Sequence, residues 1–214
     1  MTLSAALESA PLTVLLDVRH PQAYLALGPT LELAAATHLT PNWLPIAAQT
    51  LRAPGNAAPT DDRGARHRRY RAEAIAREIE TYAEAQELEI RGYYRDGAPE
   101  GAHLAWLWVR HHYPERLVEF LQAVFRGYWK QELEIASPSQ LAPVLDELGL
   151  PSAAFLDWVA GEGADALRQL GEELRGHGLQ QVPMFVVEDE VFWGRQHLPM
   201  IRWILEGRRG PGPI

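Results

Sequence analysis

A proline at the head of a run of β-formers, Val182-Pro183-Met184-Phe185-Val186-Val187, limits the folds open to this chain more than any other stretch. Proline has no N–H for a sheet ladder, so it belongs at the first residue of a strand or at an edge. Phe185-Val186-Val187 behind it reads as a short buried strand. An acidic turn, Glu188-Asp189-Glu190, and a second apolar run, Val191-Phe192-Trp193, complete a β-hairpin. Gly194 ends the hairpin, and Pro199 to Leu205 reads as a helix with its proline in the first turn.

The opposite end of the chain has a matching unit. Leu12 to Val18 is almost continuously apolar, as a strand covered on both faces must be. Arg19-His20-Pro21-Gln22 is a turn whose proline suits the first position of a helix over residues 21–37. A second strand is expected within Leu39 to Ile46, and strand-helix-strand makes a right-handed unit with a parallel strand pair. Between the two ends the period becomes helical. One stripe is Ala72, Ile75, Ile79, Tyr82 and Ala83. A second runs through Leu104, Leu107, Trp108 and His111, is broken at Tyr113-Pro114 and resumes at Leu117. Ser137-Pro138 and Leu150-Pro151-Ser152 start two more helices. The organisation read from this is α/β, βαβ…ββα, with residues 11–60 and 177–207 forming one domain. Residues 61–176 form an inserted all-helical domain, and residues 208–214 a flexible tail.

Two motifs then carry a resemblance. Asp17-Val18-Arg19-His20-Pro21-Gln22-Ala23-Tyr24-Leu25 resembles the Asp-Phe-x-Ser-Pro-Tyr-x-Tyr-Leu pattern of the 2-hydroxychromene-2-carboxylate isomerases. Val-Pro-Met-Phe-Val-Val followed by Phe-Trp-Gly is similar to the second half of DsbA-like thioredoxin folds, kappa-class glutathione transferases included. The resemblance implies a thioredoxin-like fold with a cis Val182-Pro183 bond and glutathione as cofactor. The tripeptide would lie along Val182 and Pro183, with its sulfur near His20. It further implies a small aromatic, anionic substrate, a pocket shaped by Gln22 and Tyr24, a ligand contact at Asn56, and a homodimer. The family's sulfur-activating serine is replaced by His20 and its tyrosine by Gln22. Gln196 and His197 stand where the family holds glutathione's γ-glutamyl end with Asp and Arg. Arg195 is the residue left to pair with that carboxylate, although an exposed arginine on a turn is the plainer reading of it. The alternative is a catalytically silent binding or scaffold domain.

His20 has a chemistry of its own. A side chain at a helix N-terminus meets free N–H groups and the positive end of the dipole, which favour an anion and a neutral imidazole. Such an imidazole can accept a thiol proton or hydrogen-bond a thiolate. The plain reading is a histidine that only caps the turn. The cluster Arg63, Arg66, His67, Arg68, Arg69 and Arg71 reads first as a solvated helix face. A net charge of −8 argues against a general nucleic-acid binder. The eight histidines lack metal-binding spacing, His111 and His112 being adjacent. No run reaches the ~18 apolar residues of a membrane span, and Met1 to Pro11 lacks the pattern of a signal peptide, so a cytoplasmic protein is expected.

There is no cysteine. The thiolate is the nucleophile of disulfide exchange. The purified chain is therefore expected to reduce no insulin disulfides under any thiol–disulfide buffer; activity that co-purifies with the chain through successive columns would refute this.

Overall fold

A computed structural model describes residues 10–53 and 62–213; Asn56 lies outside them. Four strands, β1 (Leu12–Leu16), β2 (Asn42–Pro45), β3 (Met184–Val187) and β4 (Glu190–Trp193), form one sheet in the order β2-β1-β3-β4. β1 and β2 are parallel, while β3 is antiparallel to both neighbours. The register pairs Val14 with Trp43 on one side and with Phe185 on the other. β1 is buried at every position, which is why its sequence does not alternate. β2 is shorter than the apolar run Leu39 to Ile46. The hairpin turn is tighter than the acidic run suggests: Glu190 is already paired with Val187, so Glu188 and Asp189 alone make the turn.

Helix α1 (Pro21–Thr37) starts at its proline and ends where His38 takes a left-handed conformation, φ 56°. Its apolar residues form no single stripe because consecutive positions from Ala23 to Leu27 are all buried. It has the sheet's core residues on one side and α2 (Arg63–Ala85) and α8 (Leu198–Leu205) as neighbours. Between β2 and β3 the chain is helical: α2, then α3 (Glu100–His112), α4 (Leu117–Trp129), α5 (Pro138–Glu147), α6 (Ser152–Trp158) and α7 (Ala164–Gly176). A short turn at Pro114–Arg116 separates α3 from α4, where Tyr113-Pro114 interrupts the stripe. Of the stripe read on α2, Ile79 and Ala83 are buried. Tyr82 is 45% exposed, its ring covered by the Arg195 guanidinium instead.

One apolar core runs through β1, β3, α1, α3, α4, α5 and α8, so the helical segment and the sheet share their burial. Residues 208–214, read from composition as a flexible tail, begin with a clamp. Arg208 donates to Glu188 and Glu190, and the Trp203 indole N–H donates to Gly210 O at 3.2 Å.

The start of α3 is fitted closely to the chain ahead of α5. The Gly101 and Ala102 amides donate to Ala136 O and Ile135 O at 3.2 and 3.0 Å. A Cβ on Gly101 would stand 2.5 Å from the Ser137 carbonyl. Backbone cannot yield as a flexible side chain can, so Gly101→Ala is expected to cost about 1–3 kcal/mol in urea unfolding. An unchanged midpoint would show that the junction gives way freely.

Candidate active site

The site is built where β1 ends. Asp17 is 1% exposed and its carboxylate collects donors from the chain around it. Oδ1 accepts from the Arg19 amide at 2.9 Å and from Arg19 Nε at 3.1 Å. Oδ2 accepts from Arg19 Nη2 at 2.7 Å and from the Ala48 amide at 2.8 Å. His103, equally buried on α3, brings Nε2 to 3.7 Å from Oδ1, an electrostatic contact longer than a hydrogen bond. Burial alone would raise the Asp17 pKa. His103 and Arg19 outweigh it and hold the carboxyl well below the usual carboxylate range. Arg19 also donates to Gly97 O at 2.7 Å and to Ala48 O at 3.0 Å. One ion pair thus joins the turn before α1, the exit of β2 and the approach to α3. Tyr128 of α4 is buried beside it. Burial raises the Tyr128 pKa, the charges of Arg19 and Asp17 act on its hydroxyl, and Arg95 covers its ring at 4.1 Å.

His20 occupies the N-cap of α1 without a side-chain capping bond. Its carbonyl accepts from the Ala23 amide at 2.9 Å, and its Nδ1 is buried with no partner among the described residues. Burial first, then the charge of Arg19, lower its pKa to about 4 against the opposing pull of Asp17. The imidazole is neutral at pH 7, with burial rather than the helix dipole as its main cause.

The proline-headed strand β3 lies alongside β1. Leu15 pairs with Met184, so the register sets the end of β1 beside Val182 and Pro183. The Val182-Pro183 bond is cis, and Pro183 O accepts from the Gly194 amide at 2.9 Å. The main-chain N–H and C=O of Val182 make no hydrogen bond among the described residues. An extended backbone placed there would find one donor and one acceptor waiting.

The other sequence candidates do not assemble as expected. Arg195 is not an exposed turn residue, its side chain being 10% exposed. Nor is it free for a ligand carboxylate: it donates to the Gln22 side chain and to Glu78 at 3.1 Å, and lies 3.7 Å above the Tyr82 ring. Gln22 is engaged in the same knot. Tyr24, two residues on, points elsewhere because successive helical positions diverge by about 100°. It stacks on Phe125 and faces a separate cavity of about 400 Å³ lined by Gln86 and Arg126. Among the described residues Gln22 and Tyr24 thus have different partners. Gln196 is exposed and bonds back to Trp193 O at 3.0 Å, and His197 packs on Phe192 at 5.5 Å. Asp17 and Arg19 stood in the motif without a role, and His103 and Tyr128 escaped sequence reading. The available signals were a charge closing an apolar strand and a histidine inside the apolar run Ala102-His103-Leu104. Among the described residues no cluster could hold a metal ion, and no helix is long and apolar enough to cross a membrane.

A parallel βαβ unit and an antiparallel hairpin with its helix, joined on one sheet with a cis-proline at the head of the third strand, define a thioredoxin fold. The chain belongs to the DSBA-like thioredoxin domain family, whose profile matches residues 21–206. Solved structures of similar fold include a 2-hydroxychromene-2-carboxylate isomerase, 17% identical with a TM-score of 0.67 over 92% of this chain and 93% of that one. A probable DsbA oxidoreductase from Streptomyces coelicolor is 18% identical, TM-score 0.70, over 95% and 92%. The cytosolic disulfide reductase DsbM of Pseudomonas aeruginosa, solved with GSH, is 18% identical, TM-score 0.58, over 92% and 98%. No protein of curated function matches the sequence significantly.

A base whose folded pKa lies below its unfolded value destabilises the fold wherever only the unfolded chain takes the proton. For His20 that window runs from about 6.5 down to about 4, and stability falls as the pH drops through it. His20→Gln removes this penalty. Between about pH 7 and about pH 4.5 it is expected to lose on the order of 2 kcal/mol less unfolding free energy than the parent. Parallel pH profiles for the two would show that His20 is not held neutral by burial.

Proposed function

We propose that this protein binds glutathione along Val182 and Pro183, with the sulfur at His20, and acts as an isomerase or transferase on a small aromatic, anionic substrate. The unpaired main chain of Val182 carries the reading, because a peptide ligand supplies the acceptor and donor that it lacks. The glutathione-bound solved structure of DsbM, which has this fold, supports the same cofactor.

The acidity of His20 favours one of its two possible roles. Taking the proton of a thiol near pKa 8.5 onto an imidazole near 4 is uphill by about 6 kcal/mol, too far for an efficient general base. A neutral imidazole can donate its N–H to a thiolate, and the N-terminus of α1 favours the same negative charge. In this reading the thiol proton leaves to solvent, and His20 with the helix end stabilises the sulfur anion that remains. Arg19 is fully engaged with Asp17 and the two backbone carbonyls, which makes it a positioning residue for the turn that carries His20.

A second reading, a binding domain without turnover, is favoured by Arg195, whose charge is already matched by Glu78. Calorimetry with glutathione, combined with the thiolate ultraviolet absorbance of the complex, separates the two. The parent is expected to bind and to lower the bound thiol pKa by roughly one unit or more. His20→Ala should return the pKa towards its free value, and His20→Ser should keep most of the shift. Equal binding with an unmoved thiol pKa in parent and His20→Ala would reduce His20 to a cap.

A further inference from the structure

The opposite end of the sheet holds a charge whose hydrogen-bond acceptor is neutral. Arg110, in the last turn of α3, is half-buried, and burial alone lowers its pKa. Its Nε and Nη2 both donate to Asn42 Oδ1, at 3.1 and 2.8 Å, while Asn42 Nδ2 donates to the buried Thr13 hydroxyl at 3.1 Å. The guanidinium is thus fixed by a neutral acceptor. No carboxylate lies within ion-pair distance of it among the described residues, and its Nη1 has no partner there. A part-desolvated cation held rigid in this way is unfavourable unless something anionic joins it.

Arg110 stands between two cavities. One, about 400 Å³, also has Glu162 and Glu173 in its wall, which repel an anion. The other, about 550 Å³, has no acidic residue in its wall among the described residues and is mainly apolar there, with Leu31, Leu39, Trp43, Leu117 and Val118. Trp43 adds a second observation: its indole N–H is buried and has no acceptor among the described residues. A cation and a donor, both short of acceptors, line one apolar chamber whose size suits a small ligand. Leu31 lies ten residues beyond Pro21 on α1, about 15 Å along the helix from the His20 end. This chamber is therefore separate from the candidate active site.

We infer that this chamber is a second binding site for an amphipathic carboxylate, its head on Arg110 and its short apolar body against Leu31, Trp43 and Val118. The inference does not depend on the glutathione reading. Calorimetric titration of the full chain with sodium octanoate, against octanamide as the neutral molecule of the same body, tests it. Octanoate is expected to bind one per chain, about tenfold or more tighter than octanamide. Arg110→Gln should lose that advantage and keep the octanamide affinity, and Val118→Trp, which fills the chamber, should abolish both. His20→Ala should bind octanoate as the parent does. The inference is overturned if the parent binds no octanoate at millimolar concentration, if octanoate and octanamide bind alike, or if a filled chamber or an altered His20 gives the opposite of these results. Should Arg110→Gln not fold, the two ligands on the parent and on Val118→Trp still decide.

Discussion

The Asp17 carboxylate is the interaction on which the arrangement of this molecule turns. It sits at the end of a wholly buried strand, where an unsatisfied charge would cost several kcal/mol, and it is instead surrounded by four donors and a histidine. Because those donors come from the turn before α1 and from the residues after β2, satisfying one charge fixes both. Arg19 extends the hold to Gly97, and His103 brings α3 into the same group. Gly101 allows this by letting the start of α3 approach the chain ahead of α5 at backbone distance.

That hold sets the chemistry next to it. With Arg19 committed to Asp17, the neighbouring His20 is left buried, neutral and, among the described residues, unpartnered at Nδ1. A histidine here replaces a hydroxyl in the pattern the sequence resembles, and the exchange is chemically conservative in one respect only. Both groups can donate a hydrogen bond to an anion, but this imidazole is a weaker base than a free histidine. The site therefore suits stabilisation of a charge more than transfer of a proton.

Two arginines show how differently one side chain can be used. Arg195 has a carboxylate, an amide and an aromatic face, so its charge is spent on holding α1, α2 and the turn after β4 together. Among the described residues Arg110 has a carboxamide and no carboxylate. The first is a structural clasp, and the second is a half-buried cation at the wall of an apolar chamber.

By itself the sequence determined the order of elements. Pro183 and Pro21 place a strand start and a helix start wherever they occur, Tyr113-Pro114 breaks a helix, and an unalternating strand must be buried on both faces. These are local rules, and each follows from a proline's missing N–H or from the period of an apolar run. Only the tertiary structure decided what the polar residues do. Gln22 and Tyr24 are neighbours in sequence yet belong to different sides of α1. Arg195 meets Glu78 across 117 residues. His103 finds Asp17 only because α3 packs over the end of β1. Charge partners are chosen by packing between distant segments, and periodicity along the chain does not encode which distant segments meet.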